Sequence, residues 1–193
     1  VKDLITPGVY KLSNGVAAPI TTFTERNKRV NSVYGTATLS YANKIFLDVT
    51  GRNDWSSTLP SGNNSFFYPS VSTSFILSDL LRLPEQISFA KLRASWAQVG
   101  NDTDPYKTAK YYNTSAFPGS ASVSPTLYNA RFKPEISNSI EVGLDWRMFK
   151  QRFGLDLAFY NNITRNQILD VPMDQTTGYT KATMNSGKVR NRG

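Results

Sequence analysis

Apolar and polar residues alternate with a period of two along much of the chain, which is the pattern of β-strands that have two different faces. Helical periodicity is nearly absent, so the pattern predicts an all-β protein. Six strands are predicted, at 31–41, 45–52, 67–77, 87–99, 140–149 and 153–160. A single helical turn is predicted between the third and fourth strands, capped by Ser78 or Asp79 and ended by Pro84.

The alternation places charged and apolar side chains on opposite faces of the predicted sheet. The apolar face is expected to carry Leu47, Val49, Leu92, Trp96, Leu144, Trp146, Leu155 and Leu157. The polar face is expected to carry Asp48, Arg52, Lys91, Arg93, Glu141, Asp145, Arg147 and Asp156. An Arg or Lys facing lipid costs about 2 to 4 kcal/mol at the bilayer midplane. The distribution therefore favours a sheet whose apolar face contacts lipid.

Short and long connections alternate along the chain. Short links follow the first, third and fifth strands, whereas long polar segments follow the others, at 53–65, 100–139 and 161–185. Outer-membrane barrels have this asymmetry, with short periplasmic turns and long external loops. We therefore expect the turns at Asn43 and Gln151 at one end, and the segments around Trp55, Tyr111 and Gln175 at the other. Residues 1–29 are expected to form an external loop segment, and residues 30–193 a single barrel domain.

The predicted strands span about 8 to 13 residues, close to the roughly 9 to 11 that a tilted membrane strand needs. Six such strands cannot close a barrel, because the smallest single-chain barrels have about eight. An open sheet edge in lipid would leave backbone groups unpaired. The sequence thus predicts part of a transmembrane antiparallel β-barrel, and an incomplete chain.

Composition limits the possible functions. The chain has 39% hydrophobic residues and a mean hydropathy of −0.37, values that do not distinguish a barrel from a soluble protein because half of each barrel strand is polar. It contains no cysteine and no histidine, which excludes thiol chemistry, imidazole metal ligands and a Ser-His-Asp triad. Neither an enzyme nor a cofactor is expected. The net charge of +8 is scattered and no nucleic-acid-binding module accompanies it.

Several segments resemble the SusC/RagA branch of TonB-dependent outer-membrane transporters. The segments are LDVTGRNDWSSTL at 47–59, FFYPSVS at 66–72, ISFAKLRASWAQVGNDTDPY at 87–106, SNSIEVGLD at 137–145, LDLAFYNNITRNQILDV at 155–171 and NSGKVRNRG at 185–193. The last of these looks like the beginning of a further strand.

That resemblance implies a barrel of about 22 strands around a plug domain in a Gram-negative outer membrane. It also implies uptake of glycans or peptides that is powered through TonB, and a SusD-like surface lipoprotein as partner. The plug and the segment that contacts TonB are expected outside this chain. The alternatives are a passive porin or barrel adhesin, and a soluble carbohydrate-binding β-sandwich.

Two groups of carboxylates invite a catalytic or metal-binding interpretation. Asp102 and Asp104 resemble part of a calcium loop, but the Gly and distal Glu of an EF-hand are missing, which favours a turn. Glu141, Asp145 and Asp156 alternate with apolar residues, which favours lumen charges paired with arginine over glycosidase carboxylates.

The ligand-binding candidates are loop residues that combine amide, carboxylate and aromatic groups. They are Asn53, Asp54 and Trp55, and the pair Tyr111 and Tyr112. Specificity is expected chiefly in the segment 100–139, predicted as an irregular loop containing Tyr106, Tyr111, Tyr112, Phe117 and Tyr128. The alternative is that Asn53, Asp54 and Trp55 hold a loop in place.

Overall fold

The computed structural model describes residues 4–11, 14–16, 25–114 and 119–193, and within these ranges the regular secondary structure is almost entirely β-strand. The elements are, in chain order, β1 Val30–Tyr41, β2 Ile45–Ser56, β3 Ser65–Ile76, α1 Leu77–Leu80, β4 Ile87–Asn101, β5 Tyr112–Thr114, β6 Ala121–Val123, β7 Thr126–Leu127, β8 Glu135–Met148, β9 Phe153–Arg165, β10 Ile168–Pro172, a 3-10 helix Gln175–Thr177, β11 Lys181–Asn185 and β12 Lys188–Arg192.

Seven strands form one antiparallel sheet in the order β1-β2-β3-β4-β8-β9-β12. The six predicted strands are all present, and β12 confirms the predicted start of a further strand. All six are longer than predicted and span 12 to 15 residues. At the strand ends that lead into the long connections, polar residues such as Asn101 and Glu135 still pair through their backbones. Backbone pairing does not require apolar side chains, which is why alternation alone underestimated these lengths.

The strand register confirms the two faces that the sequence predicts. Residues opposite each other in an antiparallel pair point to the same side of the sheet. Leu92 pairs with Leu144, which in turn pairs with Leu157, so these three lie on one face. The same register places all eight predicted apolar residues on that face and all eight predicted charged residues on the other. The chain therefore forms one sheet with an apolar face and a charged face.

The short connections share one end of the sheet. The β1–β2 turn is closed by the Lys44 amide, which donates to the Tyr41 carbonyl at 2.9 Å, with Ala42 and Asn43 at φ 51° and 55°. At the β8–β9 turn, the Phe149 amide donates to the Gln86 carbonyl at 2.8 Å, which ties that turn to the β3–β4 connection. The predicted placement of the turns at Asn43 and Gln151 is confirmed, and the long connections lie at the opposite end.

The helical turn in the β3–β4 connection is present, but its predicted boundaries were wrong. It begins after Ile76 without a side-chain cap and ends at Leu80, before Pro84 is reached. The chain is already extended at Leu81, so Pro84 has no helix to end. Within the described ranges, no helix is both long and apolar enough to cross a membrane.

The long connections pack against each other and do not extend separately into solvent. Leu59, Phe66 and Phe132 form a buried cluster, and Tyr68 and Ile168 pack on it. Phe132 is 0% exposed. The cluster joins the β2–β3 connection, the β7–β8 connection and the start of β10, so segments distant in sequence form one external layer.

The expectation of an irregular loop over the whole of 100–139 was wrong. This segment contains the antiparallel pair β5–β6, and β7 pairs in parallel with β11. The ends of the segment belong to β4 and β8. Short strands satisfy backbone donors and acceptors that a packed loop would otherwise leave unpaired, which explains their presence in a Gly- and Pro-bearing sequence.

Candidate functional site

Asn53, Asp54 and Trp55 lie within strand β2, so the prediction that they are loop residues was wrong. Asn53 pairs with Val33 on one side and Phe67 on the other, and its neighbours pair in the same way. Asn53 and Asp54 suggested a loop by composition, but strands on both sides hold this segment extended. The β2–β3 connection is correspondingly shorter than predicted and covers 57–64.

The strand conformation also divides these three residues between the two faces. Successive side chains of a strand point to opposite sides, so Asn53 and Trp55 share the apolar face with Val49 and Asp54 lies on the charged face. The Asn53 amide nitrogen donates to the Ser65 hydroxyl at 3.0 Å, and Trp55 is exposed. The three residues therefore do not form a single binding surface.

Asp54 belongs to a hydrogen-bonded group on the charged face. It is 6% exposed and accepts from Arg52 Nε at 2.8 Å and from the Tyr68 hydroxyl at 2.6 Å. The Arg52 guanidinium also donates to the Ser32 hydroxyl at 3.0 Å. Because Asp54 is buried and fully partnered, its role in this arrangement is to hold Arg52 and Tyr68 in place.

Arg52 and Tyr68 line a recess of about 350 Å³ on the charged face. Its walls are two rows of side chains that share this face: Tyr34, Arg52, Tyr68 and Val99 form one, and Thr36, Thr50, Ser70 and Ala97 the other. The backbone around Gly35 and Gly51 lies between these rows and also lines the recess. The recess thus offers one cation and two phenol rings beside small hydroxyls.

A larger cavity, of about 560 Å³, lies among the external connections. Three tyrosines of the β4–β8 connection, Tyr106, Tyr111 and Tyr128, line it together with Asp170 and Lys181 of the β10–β11 hairpin. The rings of Tyr106 and Tyr111 meet edge to face with centroids 6.0 Å apart. The cavity therefore combines aromatic surfaces with polar groups that come from two separate segments.

Four of the five charged side chains that line this cavity form ion pairs with each other, and Arg26 is the fifth. Lys181 Nζ lies 2.7 Å from Asp170, whose other oxygen accepts from the Thr183 hydroxyl at 2.7 Å. The Lys181 ammonium, and secondly Thr183, lower the pKa of the Asp170 carboxyl below its ordinary value, and the same contact raises the pKa of Lys181. Lys107 forms a second ion pair with Asp104 at 3.2 Å. The cavity thus offers mainly hydrogen-bonding groups and neutralised pairs, with the guanidinium of Arg26 beside them.

Contacts to the strand ends hold this external layer in position. Asp102 accepts from Lys28 and from the Ser56 hydroxyl, and Ser56 is almost fully buried. The backbone N–H of Asn27 donates to the Tyr106 hydroxyl at 3.2 Å. The carboxylates at 102 and 104 are engaged in ion pairs beside a turn at 105–106, as the turn interpretation predicted. Across the part of the chain that the structure describes, no group of three or more His, Cys, Asp or Glu residues could hold a metal ion.

The two predicted tyrosines differ in position. Tyr111 lines the external cavity, whereas Tyr112 begins β5 and is largely exposed outside it. Phe117 lies outside the described residues. Sequence reasoning missed Asp170, Lys181 and Thr183, which are about 60 residues further along the chain and join the site only because β11 pairs with β7. No local pattern could have indicated them.

Comparison with known proteins agrees with this architecture. The profile of the family described as "TonB dependent receptor-like, beta-barrel" matches residues 5–193. The chain belongs to that family. The predicted family is thereby confirmed, and with it the all-β class and the barrel interpretation. Members of this family are outer-membrane receptors of Gram-negative bacteria, and the apolar face of the sheet is accordingly the surface that meets lipid.

Curated relatives in this family come from Formosa agariphila. TonB-dependent receptor P26 is 31% identical over 174 residues, which is 86% of this chain and 18% of the relative. TonB-dependent receptor P3 is 29% identical over 170 residues, or 84% of this chain and 17% of the relative. The chain thus spans less than a fifth of the length of these two receptors.

Solved structures show the same fold. The structure of the RagAB peptide transporter matches with a TM-score of 0.81 and 22% identity, covering 97% of this chain and 22% of the other. The siderophore receptor PirA from Pseudomonas aeruginosa matches with a TM-score of 0.60 and 17% identity, covering 86% and 30%. At these identities the matches support the barrel fold of this TonB-dependent receptor segment and do not identify its ligand.

Proposed function

We propose that this TonB-dependent receptor is an importer of the SusC/RagA type, which takes up an oligosaccharide or a peptide across the outer membrane with energy supplied through TonB. The observation that carries the proposal is the external cavity lined by Tyr106, Tyr111 and Tyr128. It lies at the end of the sheet where an incoming ligand arrives. Membership in the family supports the energised mode of uptake over a passive porin or an adhesin.

The chemistry of the cavity favours an uncharged polar polymer. Aromatic faces pack on the apolar faces of sugars and on peptide side chains, and nearby polar groups orient them. Asp170 and Lys181 neutralise each other, as do Asp104 and Lys107. A ligand with several charges would have to break these pairs, since Arg26 is the one charged lining residue outside them, whereas a neutral glycan or peptide can hydrogen bond to them as they stand.

The recess lined by Arg52 and Tyr68 supports a route through the lumen. It lies on the charged face of β1 to β4, which is the inner surface of the barrel. We propose that a ligand leaving the external cavity passes this face. The buried Asp54 contributes by orienting Arg52 and Tyr68, and we assign Trp55 and Asn53 to the lipid-facing surface.

A SusD-like lipoprotein is proposed to cover the external layer. Several connections pack into this layer around Phe132, so it presents a formed surface instead of separate loops. Residues 1–29 are proposed to belong to it as an external segment. In support, the backbone N–H of Asn27 donates to Tyr106, and the Lys28 ammonium pairs with Asp102, both in the β4–β8 connection.

Ligand binding to the full-length receptor tests the proposal. Libraries of neutral oligosaccharides and of synthetic peptides are screened by calorimetry in detergent, and one binder is then used against variants. Replacing Tyr106 and Tyr111 together by Ala is expected to weaken binding by about 1 to 3 kcal/mol, because two aromatic contacts are lost.

Two control variants are measured beside the double replacement of Tyr106 and Tyr111. Tyr112→Ala removes the adjacent, exposed ring outside the cavity and is expected to leave affinity unchanged. Asp145→Asn removes a lumen carboxylate that pairs with Arg147 and is expected to affect barrel stability first. Unchanged affinity in the double Tyr variant, with lost affinity in a folded Asp145→Asn protein, would move the site to the lumen. Uptake that persists in cells without TonB would contradict the energised mechanism.

A further inference from the structure

Four basic residues lie together on the apolar face of the sheet, at its external end. Arg165 of β9 pairs with Lys188 of β12, and Arg190 and Arg192 follow at every second position of β12. Arg165 shares its face with Leu155 and Leu157, since odd-numbered residues of β9 all point the same way. The four cations therefore point outward, away from the charged lumen face.

Their position is just external to the apolar surface. Along the outward side of β9, the residues are Phe153, Leu155, Leu157 and Phe159, followed towards the external end by Asn161, Ile163 and Arg165. Arg192, Arg190 and Lys188 lie beside the last three, in that order. The apolar run thus gives way to polar and basic side chains towards the external end, which is the order expected where hydrocarbon gives way to lipid headgroups.

These cations have no acidic partner among the residues that the structure describes. The ion pairs found there involve Lys28, Arg52, Arg93, Lys107, Arg147 and Lys181. Arg190 Nε donates to the Asn161 amide oxygen at 2.7 Å, which leaves its charge uncompensated. All four basic residues are exposed. This contrasts with the lumen face, where Arg52, Arg93 and Arg147 each contact a carboxylate.

We propose that Arg165, Lys188, Arg190 and Arg192, which we call the basic patch, bind phosphate-bearing headgroups of outer-leaflet lipid. Alternate residues of a strand are about 7 Å apart and neighbouring strands about 5 Å apart, so several guanidinium groups can reach one phosphorylated headgroup. Arginine binds phosphate oxygens in a two-point geometry. Each basic residue near an anionic membrane surface adds to the attraction. The proposal rests on the outer-membrane location and not on the identity of the imported ligand.

The main alternative explanation of the basic patch is structural: its cations could pair with acidic side chains on a neighbouring strand of the closed barrel. In that case the cations would stabilise the barrel without selecting a lipid. A ligand site for the imported nutrient is a poorer explanation, since the basic patch lies on the opposite side of the sheet from the lumen. Lipid selectivity and barrel stability therefore have to be measured separately.

The experiment uses the full-length receptor in a neutral detergent, with no nutrient present. Binding of diphosphorylated lipid A and of phosphatidylcholine is measured by native mass spectrometry, and inorganic phosphate is added as a competitor. The test variant is Lys188→Gln/Arg190→Gln/Arg192→Gln. Its matched control, Lys44→Gln/Lys150→Gln/Arg152→Gln, removes the same number of charges from the β1–β2 and β8–β9 turns at the other end of the sheet.

The test variant is expected to lose at least about tenfold in affinity for lipid A, while the control and phosphatidylcholine binding stay unchanged. Raising the ionic strength should weaken lipid A binding to the unmodified protein. A charge-retaining variant, Arg165→Lys/Arg190→Lys/Arg192→Lys, should keep most of the affinity and guards against misfolding of the Gln variant. Equal losses in test and control variants, no loss, or reduced thermal stability with unchanged lipid affinity would each overturn the proposal.

Discussion

Arg93 on β4 forms a two-point ion pair with Asp156 on β9, although strand β8 lies between them. The guanidinium nitrogens are 3.1 and 2.8 Å from the two carboxylate oxygens. The side chain of Arg93 crosses β8 directly over Gly143, where a Cβ atom would collide with its Nε. A side chain longer than hydrogen at 143 would close this path, so the pair depends on a glycine in the middle strand.

We expect Gly143→Ala to break this ion pair and to lower the stability of the barrel only modestly, since both partners are partly exposed. The measurement is equilibrium unfolding of the full-length receptor in lipid vesicles. Gly154→Ala is the matched control, because Gly154 shares the lumen face and nothing lies near its Cβ position. In an Asp156→Asn background the cost of Gly143→Ala should fall. If Gly143→Ala lowers stability equally in both backgrounds, loss of the Arg93–Asp156 ion pair is not the cause of the destabilisation.

The two faces of β9 allow a direct test of the membrane orientation. Leu157 points to the apolar face and is 54% exposed on the sheet surface, whereas its neighbour Ala158 points to the lumen. Leu157→Arg should cost about 2 to 4 kcal/mol if this position lies near the bilayer midplane, and Ala158→Arg should cost little. Folding titrations in lipid vesicles would measure both. Comparable costs, or a larger cost for Ala158→Arg, would be inconsistent with the assigned faces.

The β10–β11 hairpin is expected to weaken in acid. The pKa of Asp170 is lowered in the folded protein, chiefly by Lys181 and then by Thr183. A carboxyl with a depressed folded-state pKa contributes its stability above the unfolded-state value of about 3.9, and loses it as the pH falls through the folded-state value. The pKa of Lys181 is raised, so that lysine keeps its charge throughout this range.

Hydrogen exchange at 181–185, corrected for intrinsic rates, should therefore show constant protection from neutral pH to about 4 and a decline below it. In Asp170→Asn, protection should be lower at neutral pH and should show no further acid-dependent loss at this hairpin. Equal pH profiles for the two proteins would mean that the Asp170 contact does not stabilise the hairpin.

The sequence by itself determined the strands, their two faces and the end at which the long connections lie. These features follow from local alternation and from the cost of placing charge in lipid, both of which are visible one strand at a time. Glu141, Asp145 and Asp156 were correctly assigned as lumen charges on this basis, and their contacts with Arg93 and Arg147 agree.

Tertiary structure decided which residues meet. Strand pairing on both sides of β2, and not local composition, keeps Asn53, Asp54 and Trp55 extended and divides them between lipid and lumen. The external cavity exists because β11 pairs with β7 and places Asp170 and Lys181 beside Tyr111 and Tyr128. Such contacts depend on register between segments far apart in the chain, and alternation within one segment carries no information about its partner.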